Sequence, residues 1–250
     1  MNAVDVRELS LWYGTFQALD RVSMSVKLGE IVALIGPSGC GKSTLLRCMN
    51  RMNDMPGVRI TGGLDVGGYN ALSPQTDVLQ LRRDVGMVFQ RPNPLPMSVR
   101  ENVLFGLKLH APATSAADRE VALESALREV ALWDQVKDAL DRPGEHLSLE
   151  GRQKLCIARL LPLKPRVLLM DEPCSALDPE GIAAVEELMA RLRGRYTLVV
   201  VTHNMQQARR VSDTSMFLYM GEMVEIAPTA DLFTSPRDER TSRYVEGRFG

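Results

Sequence analysis

Gly36 to Ser43 reads GPSGCGKS, the spacing G-x-x-x-x-G-K-[ST] of a loop that wraps the phosphates of a nucleoside triphosphate. Gly36, Gly39 and Gly41 let the backbone curl close to an anion without a side chain in the way. Lys42 supplies a cation for the β- and γ-phosphates and is expected to face solvent. Ser43 supplies a hydroxyl for Mg²⁺. Pro37, Ser38, Cys40 and Thr44 complete the cradle. Further along, Arg166 to Pro173 reads RVLLMDEP, an apolar run that ends in two adjacent carboxylates. Asp171 is expected near the Mg²⁺ shell, and Glu172 is expected to orient or deprotonate an attacking water.

Such residues work only if the chain delivers them to one place. Ile31 to Ile35 is apolar and β-prone, as a buried parallel strand should be, and Thr44 to Met49 begins a helical pattern. A strand feeding a glycine loop into a helix aims free N–H groups and the positive end of the helix dipole at one point. Asp171 and Glu172 end the strand expected over Val167 to Met170, which places them at the C-terminal edge of the sheet, where open α/β sheets bind ligands.

Around these elements, Val4 to Leu11, Val22 to Leu28 and Arg59 to Val66 read as an N-terminal antiparallel β piece. Val85 to Phe89 is a short buried strand, and three prolines between Arg91 and Met97 break any regular element. Asp118 to Ala131 carries apolar residues at helical spacing, and Asp134 to Leu140 continues in the same style. Residues 91–148 are therefore read as a helical insert within a single 250-residue domain. The pattern then resumes with helices at Gly151 to Leu161, Gly181 to Arg193 and Met205 to Val211. Strands are expected at Leu198 to Thr202, Ser215 to Tyr219 and Met223 to Ile226. The fold class is α/β, a P-loop nucleotide hydrolase with a mostly parallel, RecA-like core.

Composition narrows the setting. A hydrophobic content of 45% supports a sizeable core, and a net charge of −1 gives no reason to expect nucleic acid. The longest apolar runs are too short to span a bilayer, and with no charged segment followed by an apolar one at the start, no export signal is expected. Cys40, Cys48, Cys156 and Cys174 form no C-x-x-C pair and read as reduced thiols of a cytoplasmic protein.

Five segments together carry a resemblance: GPSGCGKST, VFQRPNP, LSLEGRQKLCIAR, LLMDEPCSALDP and VTHNMQQA. Their order and spacing are similar to those of the ABC-type ATPases over essentially the whole chain. The nearest resemblance is to the nucleotide-binding subunits of bacterial phosphate importers, down to the ending YVEGRFG. That resemblance implies ATP and Mg²⁺ bound between two copies arranged head to tail. It implies a pair of transmembrane permease subunits, a solute-binding protein acting indirectly, and a peripheral place on the cytoplasmic face of the bacterial inner membrane. It implies adenine stacking for Tyr13 and a Q-loop role at Mg²⁺ or water for Gln90. Asp178 matches the D-loop aspartate at the dimer interface, and His203 matches the switch histidine on the γ-phosphate.

One segment departs from the family. Where the usual signature is LSGGQ, this chain has Leu147, Ser148, Leu149, Glu150 and Gly151. In the family this segment caps a helix and meets the γ-phosphate held by the other copy. Ser148 keeps the hydroxyl, and Leu149 and Glu150 keep their N–H groups. A carboxylate aimed at triphosphate would be repelled, so Glu150 is expected to turn away. The alternatives are an importer ATPase for another solute, or a module that binds ATP and hydrolyses it weakly.

Overall fold

Two twelve-residue strands, β1 (Asn2–Tyr13) and β2 (Phe16–Lys27), open the chain and pair antiparallel. In this computed structural model, residues 1–248 are described; Phe249 and Gly250 of the YVEGRFG ending lie outside them. β2 starts well before the expected Val22. Phe16, Gln17 and Leu19 lie opposite Tyr13, Trp12 and Leu11, so pairing with β1 defines this strand where its own alternation does not.

β3 (Ile31–Ile35) feeds α1 (Lys42–Cys48). Next come β4 (Val58–Val66), β5 (Tyr69–Asn70), α2 (Val78–Asp84) and β6 (Val85–Val88). Neither β5 nor α2 is foreseen from sequence. α2 has only seven residues, too few for a period to show, and it starts because Asp77 accepts from the N–H groups of Leu79 and Gln80.

The helical stretch holds α3 (Val99–His110), α4 (Ala116–Glu129), α5 (Trp133–Val136) and α6 (Leu149–Ala158). Ser98 and Glu101 form a capping box on α3, and Ser115 caps α4. The helix expected through Leu140 stops at Val136. The chain then turns so that the carbonyls of Leu140 and Arg142 accept from the N–H groups of Arg100 and Val99. Unwinding this segment satisfies donors at the start of α3 that have no partner inside that helix.

The remaining elements are β7 (Val167–Asp171), α7 (Pro179–Leu192), β8 (Thr197–Val201), α8 (Met205–Val211), β9 (Thr214–Tyr219), β10 (Glu222–Pro228), α9 (Thr229–Thr234) and α10 (Glu239–Val245). The last two helices are likewise unforeseen. Two sheets result, with strand orders β2-β1-β4-β5 and β10-β9-β3-β8-β7-β6. The first is antiparallel throughout. In the second, β3 pairs parallel with both β8 and β9, and β7 pairs parallel with β8. Every residue of β3, β7 and β8 is buried, which is why these strands read as apolar runs apart from Asp171 at the end of β7 and Thr197 at the start of β8.

The chain divides into two compact units. One comprises residues 1–87, 166–172 and 192–250 and contains both sheets. Its core includes Ala33, Ile35, Ala208, Phe217 and Leu232. The other comprises residues 88–165 and 173–191, with α3 to α7. Its interior includes Val103, Leu107, Leu123, Leu127 and Leu155.

Candidate active site

In the first unit, the C-terminal ends of three neighbouring strands carry the chemistry. The phosphate loop follows β3, His203 follows β8, Asp171 ends β7 and Glu172 comes directly after it. Glycine is required at two points of the loop. Gly36 has φ +148°, and a Cβ there would sit 2.1 Å from the Leu218 carbonyl oxygen of β9. Gly41 has φ +108°, and its Cβ would sit 2.9 Å from the Ala18 carbonyl oxygen of β2. Both sheets thus press on the back of the loop, and only hydrogen fits there. An open cleft of about 180 Å³ lies on the other side, lined by Ser38, Gly39, Gly41, Lys42, Ser43, Thr44 and Glu172.

Lys42 departs from expectation. It does not face solvent: it is 5% exposed, and its ammonium donates to the carbonyls of Gly36 at 2.7 Å and Pro37 at 2.8 Å. A buried ammonium must satisfy its donors, and the loop's own carbonyls do so. The lysine therefore holds the loop in shape as well as charging it.

Ser43 donates its hydroxyl to Asp171 at 2.6 Å, and Arg47 donates to the other Asp171 oxygen at 3.1 Å. Asp171 is buried, so these two contacts fix its carboxylate. Arg47 was not singled out from sequence, although it lies one helical turn beyond Ser43 on the same face of α1. Glu172 takes φ +47°, a strained value for a residue with a side chain. Its N–H donates to Val201, and its Oε2 lies 3.1 Å from Nδ1 of His203. Water-facing His203 pairs with half-buried Glu172, which lines the cleft, and the pair is able to hold a water and take its proton.

Tyr13 is half-buried, and its hydroxyl donates to Asn53 at 3.2 Å. Asn53 in turn donates to the Thr44 carbonyl at 2.7 Å, which ties the end of β1 to α1. Asn53 gave no signal in the sequence. Burial pushes the Cys40 thiol upward against the opposing effect of Lys42, and burial pushes Cys48 up to about 12. All four cysteines are buried and outside any disulfide, as small core residues would be.

Gln90, Ser148 and Asp178 belong to the second unit. Gln90 is exposed just beyond β6. Gln153 of α6 donates to the carbonyl of Phe89, the residue before it, at 3.4 Å. Ser148 caps α6, its Oγ accepting from Gly151 N–H at 3.1 Å. Asp178 accepts from Gly181 N–H at 2.8 Å at the start of α7. The Glu150 carboxylate pairs with Lys154 one turn along α6, lying 2.5 Å from its ammonium.

In the same unit, fully buried Asn102 clamps the proline segment. Its side-chain amide donates to the carbonyls of Leu95, Met97 and Ser98, and its oxygen accepts from Leu95 N–H. Beside this segment lies an open, mostly apolar groove of about 330 Å³ lined by Met97, Glu101, Phe105, Lys108 and Leu109.

A phosphate loop, a hydroxyl–carboxylate pair and a glutamate–histidine pair, all on one sheet edge, make the first unit a P-loop nucleotide-hydrolase site. The chain belongs to the ABC transporter family, whose model matches residues 19–175. It is 52% identical to the phosphate import ATP-binding protein PstB of Bacteroides fragilis, over 99% of this chain and 98% of that protein. It is 51% identical to PstB of Idiomarina loihiensis, over 100% of this chain and 92% of that protein. Among solved structures, it resembles cbiO1 of Clostridium perfringens, part of the ABC transporter complex cbiONQ, with a TM-score of 0.80 at 25% identity. That likeness covers 94% of this chain and 91% of the other. It also resembles a dimeric ATP-binding cassette in a post-hydrolysis state bound to ADP and Pi, with a TM-score of 0.76 at 28% identity. There the coverage is 90% of this chain and 98% of the other.

Proposed function

We propose that this chain is the ATP-hydrolysing subunit of a bacterial phosphate importer, working as two copies arranged head to tail with ATP between them. The observation that carries the reading is that Lys42, Ser43 and Glu172 line one cleft, with Asp171 bonded to Ser43 and His203 paired with Glu172. Near-full-length identity of 52% to a phosphate import ATP-binding protein supports the solute.

Each residue has a definite task. Lys42 exchanges loop carbonyls for oxygens of the β- and γ-phosphates, and the loop N–H groups hold the rest of the triphosphate. Tyr13 stacks on the adenine. Glu172 orients the attacking water and accepts its proton, while His203 bonds the γ-phosphate and steadies Glu172. Gln90 reads the state of the site, and Ser148 of the second copy closes it, with Asp178 at the interface between copies. The donor set suits Mg²⁺, because Ser43 and Asp171 present hard oxygens 2.6 Å apart. No cluster of three or more His, Cys, Asp or Glu side chains among the described residues offers a complete protein cage. Mg²⁺ held there supplies charge neutralisation of the phosphate oxygens; the rest is positioning by the protein.

No helix among the described residues is long and apolar enough to cross a membrane. Transport on this reading belongs to a complex with two permease subunits, supplied by a solute-binding protein, on the cytoplasmic face of the inner membrane. The groove beside the proline segment is the docking surface for a permease. Phe105 and Leu109 are 39% and 64% exposed there, between Glu101 and Lys108. Phe105→Glu should leave ATP binding within about twofold of wild type, since surface changes away from a site cost roughly 0.5 kcal/mol or less. The same change should abolish co-purification with the permease. Retained co-purification would remove the groove from the coupling route.

Steady-state hydrolysis tests the function itself. The purified chain should convert ATP to ADP and phosphate when Mg²⁺ is present. Tight ATP binding without turnover would instead favour the binding-module alternative raised by the LSLEG signature.

A further inference from the structure

The departure at the signature comes with its own counterweight. α6 begins at Leu149, and Ser148 accounts for two of its early N–H groups. The Ser148 Oγ accepts from Gly151, and the Ser148 carbonyl accepts from Arg152. The N–H groups of Leu149 and Glu150 precede the hydrogen-bond ladder and point out of the helix end, at the positive pole of its dipole. Glu150 therefore puts a carboxylate at the one place where the proposed head-to-tail arrangement needs to receive a phosphate.

Four residues on, Lys154 answers it. Its side chain is only 6% exposed, Glu150 is 29% exposed, and their charged atoms lie 2.5 Å apart. An i, i+4 pair with the acid on the N-terminal side is the favourable order on a helix. Burial of the ammonium makes this more than a surface pair, because an unpaired buried charge is costly. The base of the Glu150 side chain packs beside Gly181 of α7, where an added Cβ would lie 3.5 Å from Cβ of Glu150.

We propose that Lys154 is a positioning residue for ATP hydrolysis. It holds the Glu150 carboxylate along the flank of α6 and cancels its charge, so the first-turn N–H groups stay open to the γ-phosphate presented by a second copy. The proposal rests on the hydrolytic reading above and explains how a signature lacking both glycines still works.

The test is a set of full-length variants in steady-state ATPase assays, with ATP binding and thermal melting measured in parallel. Lys154→Met keeps the stem and removes the charge. It should slow turnover about tenfold, the upper range for a charge at a helix end, while ATP binding to the single chain holds within about twofold. Adding Glu150→Gln to Lys154→Met should restore turnover to within about threefold of wild type, because the unmatched carboxylate is then gone. Lys154→Arg should behave as wild type, and it preserves the test if Lys154→Met fails to fold. Wild-type turnover in Lys154→Met would overturn the proposal. So would a slow double variant whose loss follows its melting temperature, since that marks a packing role. A wild-type chain with no ATPase activity would overturn the hydrolytic reading along with it, whereas an active wild type beside an equally active Lys154→Met overturns this inference alone.

Discussion

Glu172→Gln should bind ATP as the wild type does and turn it over about 10²–10⁴-fold more slowly, the range expected for loss of a positioned general base. The amide fills the same space as the carboxylate, and the loop that binds triphosphate is untouched. What disappears is the group able to take a proton from water. Glu172 is held for that task by its left-handed backbone at φ +47°, by its N–H bond to Val201 and by its 3.1 Å contact with His203. Backbone strain at such a position costs roughly 1–3 kcal/mol and persists when the surroundings fix it. Rapid-quench measurement of ADP formation, alongside equilibrium ATP binding, checks both halves. Unchanged turnover would remove Glu172 from the chemistry.

Lys42→Ala has the second large effect, and it acts on two properties at once. The ammonium is the charged side chain of the phosphate loop, and each hydrogen bond from a charged group contributes about 1.5–3 kcal/mol. ATP affinity should fall by roughly 10- to 100-fold on losing one such contact. The apo protein should also lose stability. Lys42 is buried and bonded to the carbonyls of Gly36 and Pro37, which the substitution would leave without their donor. A cost of about 1–3 kcal/mol would lower the melting temperature by roughly 2–6 °C. Calorimetric titration with ATP and a thermal melt without it separate the two effects. An unchanged melt with weakened binding would mean the buried pose contributes nothing to folding.

The behaviour of Lys42 illustrates where sequence reasoning ends. GPSGCGKST fixes the loop, its strand and its helix, since each residue type there answers a local steric or electrostatic need. The direction of one flexible side chain depends on carbonyls that only the folded loop brings together. The same division runs through the fold. β3, β7 and β8 were legible because buried parallel strands are apolar throughout, and α8 (Met205–Val211) was legible to the residue. α2, α9 and α10 have seven, six and seven residues, and in pieces so short caps and tertiary contacts outweigh periodicity. α5 stops early for a reason outside itself, because α3 needs the carbonyls of Leu140 and Arg142.

At the site, Asp171 and Glu172 stood out because two carboxylates at a strand end are conspicuous. Arg47, Asn53 and Asn102 did not, because an arginine or asparagine on a helix or turn has no distinctive neighbourhood in sequence. Their importance lies in the Asp171 oxygen, the Tyr13 hydroxyl and the proline-segment carbonyls they reach. Arg47 and Lys154 share one signal that could have found them: each lies four residues beyond the group it serves or neighbours, one turn along its helix.

ATP hydrolysis by this chain drives phosphate import, and an uptake assay measures that coupling. Vesicles carrying the permease subunits, this chain and the solute-binding protein would be loaded with ATP and Mg²⁺ and given radiolabelled phosphate outside. Phosphate should accumulate in an ATP-dependent way, and accumulation should stop when Glu172→Gln replaces the wild-type chain. Robust ATP hydrolysis with no phosphate accumulation, or with accumulation of a different solute, would contradict it.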